Sequence, residues 1–499
     1  MNKFDSNQEW NFDLLQDALE KIEGIVDEEL QLNTYKNQIE IISAEQMLDA
    51  YSAVGMPIYY DHWQFGKQFV RESEAYKRGR MGLAYEIVIN SDPCISYLME
   101  DNTMTMQCLV MAHACFGHNH FFKNNNTFKQ WTDATAIIDY LVFAKHYIKE
   151  CEERYGREEV EKVLDAAHAL KLHGVDRYKR PASMSKDMLK ARMKARIDYE
   201  QATYNDLWTT IPKSDKKDQK VDETERFPEE PEENLLYFIQ KHAPNLPDWK
   251  REILRIVRMI SQYFYPQMLT KVMNEGCATF THYHVMNSMY DRGYATDGFM
   301  LEFLESHSGV LYQREGQHLN PYTLGFKMFS DIKRICINPT KEDERWFPNF
   351  AGSGDWVSQF KYAVENFKDE SFILQYLSPN VIRDLSLFYI LDDEQNPELY
   401  IKNIHNDQGY KMIREKLSES YNVNNQIPNI QVVNYNRWGD RQLTLECRTL
   451  KQRKLDAKEA TKTLGHLVTL WGYDIKLVVI DDSGKELQTF RVGTTDIQI

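Results

Sequence analysis

Three histidines fall within eight residues in Met111-Ala112-His113-Ala114-Cys115-Phe116-Gly117-His118-Asn119-His120-Phe121-Phe122. The run around them, Cys108 to Phe122, is otherwise apolar, which predicts burial. A buried imidazole needs a partner, because an unsatisfied buried polar group costs ~1–3 kcal/mol. A metal ion would serve several imidazoles at once; the plainer reading is that each meets a backbone carbonyl or a carboxylate in a core. Helix geometry narrows the choice. On an ideal helix His113 and His120 lie within ~20° of one another but two turns (~10 Å) apart, whereas His113 and His118 differ by ~140°. The second pair can face one ion only if the helix is distorted, and Gly117 is where a kink or one-residue bulge costs least.

An acid to complete such a site comes from a second segment, Val272-Met273-Asn274-Glu275-Gly276-Cys277-Ala278-Thr279-Phe280-Thr281-His282-Tyr283-His284. Glu275 and His282 are seven apart and share a helix face, with Ala278 between them leaving room for something bulky. If this helix packs on the histidine helix, Glu275 becomes the anionic partner of His113 and His118, because acids are rarely buried unpaired. His113, His118 and Glu275 are then the candidate ligands of a divalent metal such as zinc. Glu86, His282 and His120 are the candidates for moving protons beside it. Glu86 has a plainer reading as the outward carboxylate of an alternating strand. Asp165 and His168, three apart, could ligate a metal or simply bond each other. Twelve of the fourteen histidines lie between residues 62 and 318, a bias that favours one polar site built from several helices.

The elements that must position these groups are mostly helical. Leu15, Ala18, Leu19, Ile22, Ile25 and Val26 form an apolar stripe between Asn11 and Leu30. The aromatic stretch Gly55 to Lys67 reads as an ordered loop entering a helix. Ala84-Tyr85-Glu86-Ile87-Val88-Ile89-Asn90 is short, β-branched and closed by Ser91-Asp92-Pro93, hence a strand. A helix runs from about Asp101 to Phe122, residues 133 to 210 look helical throughout, and Pro247-Asp248 starts another helix. Ile211 to Asn234 is proline-containing and highly charged, a solvated linker or mobile loop. After residue 420 the pattern changes. Two hairpins, around Trp438-Gly439-Asp440 and Asp481-Asp482-Ser483-Gly484, flank a helix from Asp456 to Trp471. The fold class is therefore mainly α, α+β overall, with a small C-terminal ββαββ module. The divisions expected are 1–210, 211–234, 235–424 and 425–499.

Composition sets the outer limits. A chain of 499 residues with 42% hydrophobic and 27% charged residues is an ordinary globular protein with room for a large core. A net charge of −15 argues against nucleic acid as the main partner, and the weakly basic stretch from Arg448 to Lys462 reads as a solvated helix face. No apolar run approaches membrane-spanning length, the N-terminus lacks a signal-like core, and seven scattered cysteines contain no CxxC pair; the expected compartment is the cytoplasm. Phosphate-loop, dinucleotide and nucleophile-elbow motifs are missing. So is HExxH: His113-x4-His118 has one residue too many, and Ala114 stands where the acid would be.

The order of irregular motifs resembles the stage V sporulation protein R (SpoVR) family, which includes YcgB-type proteins of bacteria that do not sporulate. The resemblance is carried by Gly55-Met56-Pro57, His62-Trp63, Phe65-Gly66-Lys67, Tyr85 to Asn90, Met111-Ala112-His113, Phe116 to Asn124 and Asn274-Glu275-Gly276. Asn320-Pro321-Tyr322, Leu324-Gly325-Phe326 and Leu470-Trp471-Gly472 continue it. It implies spore cortex formation or a stationary-phase stress role, and protein partners in a PrkA-like serine kinase pathway, without supplying a reaction. A more distant likeness is to zinc peptidases that use two histidines and a glutamate. It would make His113, His118 and Glu275 the ligands, with Glu86 or His282 activating water. Three readings follow: a metal-dependent hydrolase acting on peptide or peptidoglycan-related amides; a non-enzymatic stress factor whose His/Glu cluster is structural and which works through partners; and a di-iron bundle, which would need further carboxylates near His168 or His282. Substrate, metal identity and oligomeric state stay open at this point.

Overall fold

The computed structural model describes the chain apart from residues 1–2, 54, 57, 78–85, most of 180–226, 315–317, 388–389, 392–399, 402–405, 450–453 and 496–499. Ala84, Tyr85, Glu315 to Gln317 and most of the charged 211–234 stretch therefore lie outside the described residues. The chain forms two compact units, residues 1–164 with 259–428, and residues 165–258 with 429–499. It is mainly helical with small sheets, as its periodicities predict.

In the first unit, helix α1 (Phe12–Ile25) starts at Asn11, whose side chain accepts from Leu14 N, and buries Leu15, Ala18, Ile22 and Ile25. Strand β1 (Asn37–Ile42) and helix α2 (Trp63–Lys77) follow. Strands β2 (Glu86–Ile89) and β3 (Cys94–Met99) complete a three-stranded sheet in the order β1-β3-β2, with β1 parallel and β2 antiparallel to β3. β3 is buried along its whole length, whereas β2 alternates, with Ile87 and Ile89 fully buried and Glu86 and Val88 less so. The histidine segment is one continuous rod. Helix α3 (Met104–Met111) is capped by Thr103, winds into a π segment over Ala112–His118, and resumes as α4 (Asn119–Asn124). Helix α5 (Ile137–Tyr155) and α6 (Arg157–Ala169) are separated by Gly156, whose φ of 88° breaks the run. Helical character breaks off after His173 and residues 174–179 are not helical, which interrupts the run expected over 133–210; Met188, Ala191, Arg192, Ala195 and Tyr199 are helical again.

Helix α7 (Lys271–Asp291) packs along the π segment, and α8 (Asp297–Val310) and α9 (Pro321–Ile337) pack in turn against α7. The cap residue of α7, Thr270, supplies no side-chain bond; Asp369 does so from 97 residues away, accepting from Val272 N and Met273 N at 2.9 Å. α7 is gripped at two places with no side chain between backbones. A Cβ on Gly117 would sit 2.5 Å from Ala278 Cα, and one on Gly325 would sit 2.2 Å from the Val272 carbonyl oxygen and 2.6 Å from Gly276 Cα. Ala278 is thus small to admit the crossing backbone, not a bulky guest.

The second unit holds strands β4 (Asn429–Tyr435) and β5 (Leu443–Arg448), helix α10 (Ala457–Trp471), and strands β6 (Ile475–Ile480) and β7 (Glu486–Val492). The sheet order is β4-β5-β6-β7, two antiparallel hairpins joined by a parallel β5–β6 pair across α10. This is the expected ββαββ pattern. A helix over Asp248–Leu269 also forms as expected. The described part of the charged stretch departs from expectation. Phe227 packs on Phe238 and Tyr435, and Glu232 forms an antiparallel bridge with Val432, so residues 227–234 are built into the unit. Among the described residues no helix is long and apolar enough to cross a membrane.

The backbone crossing gives a direct test. Gly325→Ala should destabilise the chain by about 1–3 kcal/mol, because two backbones must separate. Gly24→Ala in α1, where nothing lies within 4 Å, should be neutral or stabilising by up to about 1 kcal/mol. Denaturant midpoints measured on both variants check the pair.

A candidate metal centre

On a regular helix His113 and His118 point ~140° apart. In the π winding, where each N–H bonds the carbonyl five residues back, residues five apart stack, and the two imidazoles meet with ring centroids 4.6 Å apart and planes at 85°. The distortion expected at Gly117 is this seven-residue segment. His118 is further held by stacking on Phe122, at 5.8 Å and 12°.

Each imidazole is oriented from behind. His118 Nδ1 lies 2.9 Å from Asn274 Oδ1, which can only accept, so Nδ1 donates and Nε2 is the nitrogen that faces the site. His113 Nδ1 lies 2.9 Å from His282 Nδ1, and the Ala278 carbonyl accepts from the same ring. Both Nε2 atoms then look onto carboxylates. His113 Nε2 is 3.2 Å from Glu86 Oε1 and 3.9 Å from Glu275 Oε2, and His118 Nε2 is 3.7 Å from the same Glu275 oxygen. Glu86, His113 and His118 each offer a ligand atom within 4.8 Å of the others. Glu86 Oε2 and Glu275 Oε2 are buried with no hydrogen-bond partner. The Tyr322 hydroxyl also donates to the Glu275 carboxylate.

Electrostatics matches this picture. Burial, and then the neighbouring Glu275 charge, pushes the Glu86 carboxyl well above the usual carboxylate range. Burial also holds His113 well below the ordinary imidazole value, reinforced by His118 and His282, and does the same to His282. Two carboxyl groups and two imidazoles therefore share one buried spot.

The donor set fits a small divalent ion. Bonds of about 2.0–2.1 Å to nitrogen and oxygen in a tetrahedral shell place neighbouring ligand atoms about 3.3–3.4 Å apart. The observed 3.2, 3.7 and 3.9 Å separations bracket that spacing, with small inward movements left to make. Hydrogen bonds made from behind the ligands, as Asn274, His282 and Tyr322 make them, are what fix ligand orientation and tautomer.

The sequence-derived candidates fall into three places. His113, His118, Glu275 and Glu86 come together. His282 stands behind His113. His120 does not join them: it is fully buried, its Nδ1 is within 3.1 Å of Asn33 N, Asn33 O and Asn124 Nδ2, and its ring stacks on Phe360. It ties α4 to the 31–36 connection, because the π segment turns residue 120 away from residues 113 and 118. Glu86 is not the outward carboxylate of its strand, since the face it shares with Val88 abuts the π segment. Residue type alone does not mark Asn274 and Tyr322 as functional, although both sit in the motifs that carry the family resemblance. In Asn320-Pro321-Tyr322, Asn320 caps α9 by accepting from Tyr322 N, Pro321 fits the first helical turn, and Tyr322 is thereby aimed at Glu275.

A buried carboxylate pair is costly in the absence of a cation. Glu86→Gln should therefore raise the melting temperature of chelator-treated protein, by the equivalent of about 1 kcal/mol or more. It should also shrink the increment that added zinc produces. Calorimetry with and without metal reads both.

Comparison with known proteins completes the description. The family described as "SpoVR like protein" matches residues 9–426, and the "SpoVR-like C-terminal domain" matches residues 428–482. A relative from Escherichia coli (strain K12), "Uncharacterized protein YcgB", is 54% identical over 481 residues, covering 95% of this chain and 94% of its own. No solved structure matches the chain. With both regions matched in order and more than half of all positions shared with this relative, the chain belongs to the SpoVR family.

Proposed function

We propose that the cluster is a mononuclear divalent-metal centre of the zinc type, with His113, His118 and Glu275 as ligands and Glu86 beside the open position. The observation that carries this reading is the convergence of two imidazole Nε2 atoms on two carboxylates whose buried Oε2 atoms have no hydrogen-bond donor. Buried charge persists where a partner offsets it, and a dication offsets two at once. The reaction we propose is hydrolysis of an amide bond in a peptide or peptidoglycan-related substrate. A zinc ion lowers the pKa of bound water to ~7. Glu86 would take the proton of that water, and Tyr322 would hold the Glu275 carboxylate. His282 acts through His113 and not on the water itself.

The biological setting we propose follows the family: a SpoVR-like role in spore cortex formation or in the stationary-phase stress response, with protein partners that include a PrkA-like serine kinase pathway. We place the protein in the cytoplasm, a reading supported by seven cysteines that are all unpaired.

Elemental analysis of protein purified without a histidine tag is the decisive measurement. It should find about one equivalent of metal per chain, lost in His118→Ala, with a chelator lowering the melting temperature of the native protein. A folded, metal-free preparation whose melting temperature is indifferent to both chelator and added zinc overturns the proposal.

A further inference from the structure

Behind His113 runs a line of imidazoles that the ligand set does not use. His113 Nδ1 is 2.9 Å from His282 Nδ1, and His282 Nε2 is 2.9 Å from His307 Nδ1. The three residues are 6%, 2% and 5% exposed. His307, on α8, is sandwiched by aromatic rings: Tyr283 stacks on it at 4.8 Å and Phe326 meets it edge-on at 4.9 Å.

A neutral imidazole has one N–H and one lone pair. Two contacts in series therefore permit two complete orderings. In the outward ordering His113 Nδ1–H donates to His282 Nδ1, His282 Nε2–H donates to His307 Nδ1, and His113 Nε2 is left as a lone pair towards Glu86 and Glu275. In the inward ordering every hydrogen lies on the opposite nitrogen, and His113 Nε2–H donates to Glu86 Oε1. Only the outward ordering makes His113 a ligand.

We infer that His282 and His307 are positioning residues: alongside the Ala278 carbonyl that accepts from the His113 ring, their hydrogen-bonded line holds His113 as the Nδ1–H tautomer, and the acceptor at its far end, His307 Nδ1, completes that order. The inference rests on the metal reading above and deepens it, assigning two residues from α7 and α8 to the same site. Replacing His307 by Leu leaves the outward ordering with a stranded buried N–H and the inward ordering with only a stranded lone pair. Stranded N–H groups are the rarer in folded proteins, so the variant favours the inward, non-ligating order. Asn at the same position keeps an oxygen where Nδ1 was.

The test pairs zinc competition titration with nitrogen NMR of selectively ¹⁵N-histidine-labelled full-length protein. Zinc-loaded native protein should show His282 protonated on Nε2. His307→Leu should bind zinc ~10–100-fold more weakly, and His307→Asn should stay within about threefold of the native chain. The inference falls if zinc-loaded His282 carries its hydrogen on Nδ1, if His307→Leu binds zinc like the native chain, or if His307→Asn is as weak as His307→Leu. Should the native chain take up no zinc, the metal reading fails by itself. The line is then judged on the metal-free spectrum: it stands if His307→Leu switches the protonated nitrogen of His282, and falls if it does not.

Discussion

The close crossing of α7 with the π segment and with α9 is the constraint on which the site depends. Side chains normally hold packed helices 8–10 Å apart. Here Gly117 meets Ala278, and Gly276 meets Gly325, with backbones in contact. Only that approach lets Asn274, Glu275 and His282, all on α7, reach both histidines of the π segment with hydrogen-bonding or ion-pairing geometry. The motif Asn274-Glu275-Gly276 thus has one task per residue: Asn274 orients His118, Glu275 faces both imidazoles, and Gly276 makes room for α9.

The π winding explains why the histidine spacing departs from the commoner zinc-binding pattern. A pair four apart lies on one face of an α-helix; a pair five apart does so where the winding is one residue wider. The surplus residue in His113-x4-His118 is absorbed by Ala112–His118, and the rod continues as α4. The acid absent beside His113, where Ala114 stands, is matched in space by Glu86 arriving from β2. Groups that one helix carries elsewhere are here divided among a strand and two helices.

Much of this was legible in the residues. The amphipathic spacing of α1 with its Asn11 cap, the ββαββ alternation of the C-terminal strands, and the seven-residue offset of Glu275 and His282 are local patterns whose physics survives in the fold. What was not legible depends on contacts distant in sequence. Alternation reports which side of β2 Glu86 occupies, but not that the π segment covers that side. Three clustered histidines suggest a common purpose, yet His120 belongs to Asn33 and Asn124. The break at Gly156 needs a positive φ that helical periodicity does not reveal. The burial of Phe227 and the Glu232 bridge are tertiary contacts that override a polar composition.

One rigid rod carries both grips on His113. Glu275 and His282 approach that ring from opposite sides, and their separation is set by helical pitch, with no loop to adjust it. The backbone positions that carry these side chains are consequently fixed by folding itself. An arriving guest is spared the ~0.5–1.5 kcal/mol that ordering each mobile side chain would otherwise cost. Selectivity for an ion in such a cradle would follow size, because helical pitch leaves the side chains only small inward movements to make.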